Sequence, residues 1–157
     1  MDITTRNMRN KSLLTALLIA VFGLTSWTLE AQNDLFIGKV FDTYGKKKGV
    51  EMVDISGEML ENYRLSRFRS ITIKNDPAAA DFARKCLARD QAGAKKIKEV
   101  TSNGVPTSVY LQLPRLGNDN RLILYNEKRN KEIKITLIYI ESKDDTESIL
   151  KLLLQKK

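Results

Sequence analysis

The chain has 157 residues, with 27 Lys and Arg against 19 Asp and Glu and no His, for a formal charge of +8. Without His, Ser-His-Asp and Cys-His nucleophilic sites, His-ligated zinc and imidazole acid–base catalysis are excluded. Cys86 is the sole Cys, so no intrachain disulfide can form. The length suits one domain, and the basic excess favours anionic partners.

Residues 1–31 read as an export signal. Arg6, Arg9 and Lys11 form a positive start, Leu13 to Phe22 is an almost unbroken apolar run, and Gly23, Ser26 and Thr28 lead to cleavage after Ala31. The apolar stretch is short for a spanning helix of about 20 residues, and no Cys near residue 31 offers a lipid anchor. The expected mature chain, 32–157, is a single domain that is exported to the periplasm or secreted, with no membrane tether.

Residues 33–47 have helical spacing, with Phe36, Ile37, Val40, Phe41 and Tyr44 on one face and Asn33 or Asp34 as the cap. Gly45 and Gly49, around Lys46, Lys47 and Lys48, suit the exit from that helix, where the lysines meet the negative dipole end. Val50 to Ile55 reads as a strand with Val53 and Ile55 facing inward, and Ser56 as a cap for a helical turn over 57–63. The β-branched run Ile71-Thr72-Ile73 predicts a strand over 68–74. Asp76 as cap and Pro77 in the first turn start a helix running to about Asp90. Ala79, Phe82, Ala83, Cys86 and Leu87 form its apolar face, so Cys86 reads as a buried structural thiol.

A meander of strands follows. Lys95 to Ser102 is the first, anchored by Ile97 and Val100. Asn103-Gly104 predicts a type I′ turn, and Val105 to Leu113 alternates with period 2 before Pro114 stops it. A turn-rich loop over 116–120 leads to a strand over 121–125, then a polar turn over 126–131. The strand over 132–141 sets Ile133, Ile135, Leu137 and Tyr139 on one side, and Lys134, Thr136, Ile138 and Ile140 on the other. Its second half is apolar on both sides, the mark of a covered position. A last helix starts at Asp144, with Glu147 completing a capping box. The expected architecture is α+β: a two-layer sandwich, a mainly antiparallel sheet with helices packed on one face.

Tyr44, Gly49, Val50, Val53, Ile55 and Ser56 spell Y-x4-G-V-x2-V-x-I-S. This pattern, with Leu35-Phe36 upstream and a hairpin-rich second half, resembles a family of small exported Bacteroidota proteins of unknown function. The resemblance implies a place in the bacterial envelope and brings no reaction with it.

The leading expectation is a non-catalytic binding or accessory module for an anionic polymer or an envelope protein. Lys95, Lys96, Lys98, Arg121, Lys128, Arg129 and Lys131 are the candidate basic patch, although lysines on strands also guard sheet edges. A carboxylate-based hydrolytic enzyme would draw on Asp54, Glu58, Glu61, Asp144 or Asp145, each of which also has a plainer use as a cap or surface charge. A structural homo-oligomer would use Ile123, Tyr125, Ile138 and Ile140 as an interaction face. Nucleic acid ranks last, since Tyr110, Tyr125 and Tyr139 suit cross-strand packing. No cofactor, metal or catalytic residue is expected.

Overall fold

The computed structural model describes residues 35–154, so the expected signal peptide and the caps Asn33 and Asp34 lie outside the described residues. The elements run α1 (Gly38–Tyr44), β1 (Glu51–Ser56), a 3-10 helix (Gly57–Tyr63), β2 (Leu65–Lys74), α2 (Pro77–Gln91), β3 (Lys96–Ser102), β4 (Val105–Leu116), β5 (Asp119–Arg129), β6 (Ile133–Ser142) and α3 (Thr146–Leu154). The six strands form one sheet in the order β1-β2-β6-β5-β4-β3, and every neighbouring pair is antiparallel. The meander β3 to β6 is therefore extended by β2, which pairs with the free side of β6. Helix α2 carries the chain from β2 to the far edge at β3. The α+β class and the antiparallel sheet are as the sequence predicts.

Strand alternation decides which residues enter the main core. Ile71 and Ile73 of β2, Ile135, Leu137 and Tyr139 of β6, Ile123 and Tyr125 of β5, and Val109, Leu111 and Leu113 of β4 are buried on one face. Helix α1 covers that face with Val40, Phe41 and Tyr44, and α2 with Ala79, Ala80, Ala83, Cys86 and Leu87. The small residues of α2 allow a close approach to the sheet. Asp76 caps α2 as predicted, accepting from the Ala79 N–H at 2.9 Å.

The third helix departs from the expected single covered face. Ile149 and Leu153 of α3 pack with Leu122, Ile140, Leu65, Phe68, Tyr110 and Ile138, which lie on the opposite side of the sheet. The cause is the period of 2: Leu122 and Ile140 are direct cross-strand partners one residue out of phase with the main core pair Ile123 and Tyr139. The cap of α3 is Asp145, which accepts from the N–H groups of Glu147 and Ser148. Asp144 instead pairs with Arg64 at 2.7 Å.

Other local expectations are corrected by the pairing. Val53 is 41% exposed and Met52 packs against the core, because β1 joins β2 with Met52 opposite Ile71. Ser56 makes no side-chain cap. Ile97 and Val100 are exposed, since β3 is an edge strand whose every residue is exposed. Pro114 does not end β4. A register shift between Leu113 and Leu116 accommodates it, as a bulge tolerates a residue without an N–H. The Asn103-Gly104 turn has φ of 52° and 74°, as a type I′ turn requires.

Candidate binding face

Helix α3 covers only part of the second sheet face. Beyond it, two cross-strand rows remain open. In the first, Thr72 of β2 stands opposite Thr136 of β6, Thr136 opposite Asn126 of β5, and Asn126 opposite Ser108 of β4. In the second, Lys74 stands opposite Lys134, and Lys134 opposite Lys128. All three lysines and Asn126 are exposed, while Thr72, Thr136 and Ser108 are half-buried. The Thr72 and Thr136 hydroxyls lie 3.4 Å apart.

Two carboxylates temper this row: Glu51, which stands opposite Thr72 and attracts both Lys74 and Lys134, and Glu132, which attracts Lys74. Lys74 Nζ donates to Glu51 Oε1 at 2.9 Å. The hydrogen bond and the charge attraction hold the Lys74 ammonium above its ordinary pKa and the Glu51 carboxyl below its own. Among the described residues, no ion pair joins Lys128 or Lys134 to a carboxylate.

The seven residues of the candidate basic patch do not form one surface. Lys96 and Lys98 lie on edge strand β3, opposite Gln112 and Tyr110, and so share the face of Lys128. Lys95 precedes β3, its N–H donating to the Gln112 carbonyl. Lys131 is exposed in the β5–β6 turn. Arg121 and Arg129 lie on the main core face: Arg121 is buried and donates from Nε to the Pro114 carbonyl at 2.8 Å, while Arg129 donates to Glu127. Lys74 and Lys134 complete the row in their place. The alternation of β6 already sets Lys134 beside Thr136, but Lys74 joins it only through the long-range β2–β6 pairing.

The proposed apolar face divides in the same way. Ile123 and Tyr125 are buried in the main core opposite Tyr139 and Leu137. Ile138 and Ile140 lie on the second face, beneath α3.

Three of the candidate carboxylates, Asp54, Asp144 and Asp145, serve an ion pair or a cap. Asp54 pairs with Arg69 at 2.9 Å and Arg67 at 3.4 Å. Glu58 is exposed on the 3-10 helix. Glu61 lines a cleft of about 420 Å³ with Gly57, Arg64, Leu65, Ser66 and Lys143. Sequence reading missed the most buried one, Glu127, at 3% exposure. It accepts from Tyr125 Oη at 2.7 Å, from Arg84 Nη1 at 3.2 Å and from Arg129 Nε. Two guanidinium groups thus balance its charge where β5 leaves the core. Among the described residues, no three Cys, Asp or Glu converge as a metal site would need, and no helix is long and apolar enough to cross a membrane.

A family model described as a family of unknown function (DUF6108) matches residues 24–153. The chain belongs to that family. The match spans all six strands and nearly all of α3, so the open face is part of the family's own domain rather than an addition to it. Neither the comparison with curated proteins nor that with solved structures gave a match.

Proposed function

We propose that this protein is an exported, non-catalytic binding module that holds an anionic partner on the open half of its second sheet face. The observation that carries the reading is the in-register row of Lys74, Lys134 and Lys128. Like charges directly opposite one another on neighbouring strands disfavour the sheet, and an anion laid over them removes that penalty. Edge protection accounts for Lys96 and Lys98 on β3. It does not account for Lys134, because β6 is paired on both sides and has no edge to guard.

The carboxylates support a binding role over a hydrolytic one. Division of acid and base roles needs two carboxyl groups converging on one space, whereas Asp54, Asp144, Asp145 and Glu127 each serve an ion pair or a cap. Export rests on the positive start and apolar run of residues 1–31, and it puts the partner among the polymers or proteins of the envelope or the medium.

Retention on heparin resin tests the reading. The protein is expected to stay bound at moderate salt, and the Lys74→Gln, Lys128→Gln, Lys134→Gln triple variant to elute at markedly lower salt. Elution of the two at the same salt would contradict it.

A further inference from the structure

Resting on that reading, we infer that the anionic partner is an acidic polysaccharide, lying across the strands so that its charged groups meet the lysine row and its hydroxyls meet the threonine row. The two rows run side by side on one face, perpendicular to the strands. Successive members of a row are about 5 Å apart, and the rows are separated by two residues, about 7 Å. A linear polymer crossing β2, β6 and β5 therefore meets a cation and a hydrogen-bonding group at every strand.

The chemistry of the second row separates the classes of polyanion. Thr72, Thr136 and Ser108 carry hydroxyls and Asn126 an amide, groups that both donate and accept. A phosphate polymer offers acceptors and charge only. A sugar polymer offers hydroxyls that donate as well as accept, so unlike inorganic polyphosphate it uses both capacities of the row. The Thr72–Thr136 contact, at 3.4 Å, leaves lone pairs and a proton free for such a partner. Single-stranded nucleic acid is held by aromatic platforms, and neither row contains an aromatic residue. The nearest by register, Tyr110, packs in the α3 cluster.

The test titrates the purified protein with polygalacturonate and, separately, with inorganic polyphosphate. The variant Thr72→Val, Thr136→Val, Asn126→Ala is expected to bind polygalacturonate about 5- to 20-fold more weakly, as the loss of two or three hydrogen bonds implies, with polyphosphate binding changed less than about twofold. Thr72→Ser with Thr136→Ser keeps the hydroxyls and is expected to retain polygalacturonate affinity. Thermal melts establish that each variant folds. Equal weakening of both polymers, no weakening of polygalacturonate, or tighter binding of polyphosphate or single-stranded DNA by the wild type would overturn the inference while leaving the basic face standing. Loss of neither polymer in Lys74→Gln, Lys128→Gln, Lys134→Gln would overturn the underlying reading as well.

Discussion

Lys74 and Lys134 are direct cross-strand partners, facing the same side of the sheet from β2 and β6. Two ammonium groups in that relation repel, and Lys128 on the other flank of Lys134 repeats the repulsion. A sheet selected for stability alone would place an opposite charge between them. Lys134→Glu is therefore expected to raise the urea midpoint slightly, on the order of a few tenths of a molar, and at the same time to weaken heparin binding. Chemical denaturation and resin retention, run on the same variant, read the two effects with opposite sign.

Asp90 joins the two helices of the main core. Its Oδ1 and Oδ2 accept from the N–H groups of Phe36 and Ile37, both at 2.8 Å, and so do the work of a cap for α1 from 53 residues away. Removing the carboxylate leaves buried donors unsatisfied. Asp90→Ala is expected to cost about 2–3 kcal/mol, and Asp90→Asn, which keeps one acceptor, to cost less. Equilibrium unfolding measures both.

Gly45 is required by its neighbours. A Cβ at that position would overlap the sulfur of Met52 and crowd the Phe41 carbonyl. Gly45→Ala is expected to destabilise by about 1–3 kcal/mol. Shortening Met52 to Ala in the same chain should recover only part of that loss, because the Phe41 carbonyl is backbone and cannot swing away. A thermal-melt cycle of the single and double variants checks the partition.

Which of these relationships could be read from the residues alone follows a physical line. The start of α2 at Asp76-Pro77, the alternation of β4 and β6, and the Asn103-Gly104 turn are local, so propensity, capping and period decide them. The grading of β6 from Lys134 and Thr136 to Ile138 and Ile140 also gave a fair picture of a face open at one end and covered at the other. What local pattern cannot supply is pairing. The orientation of β1 depends on Met52 meeting Ile71, and the separation of Ile123 from Ile140 depends on the register of β5 with β6. The placement of α3 and the membership of Lys74 in the basic row depend equally on contacts distant in sequence. For the same reason Arg121 and Arg129 read as patch residues until the register turned them toward the core face.

Two tyrosines make the fold sensitive to alkali. Tyr125 donates to Glu127 and Tyr139 to Glu141, both at 2.7 Å. Burial, then the hydrogen bond to a carboxylate, pushes both hydroxyls well above their ordinary value of 10.0. The folded state keeps these protons when the unfolded chain has lost them, so their contribution to stability is complete below about pH 10 and falls as pH rises beyond it. Unfolding free energy should drop steeply above pH 10, and Tyr125→Phe with Tyr139→Phe should flatten that slope. Phenolate absorbance of these two residues should appear only as the protein unfolds.

The proposed function requires Lys74, Lys134 and Lys128 to act together on a polyanion. The most direct measurement is the slope of log affinity against log salt for heparin, in the wild type and in the Lys74→Gln, Lys128→Gln, Lys134→Gln variant. Each lysine that neutralises an anionic group releases about one counterion. The slope is expected to be shallower by about 2 to 3 in the variant. An unchanged slope would mean that the polymer binds elsewhere, and would contradict the proposed function.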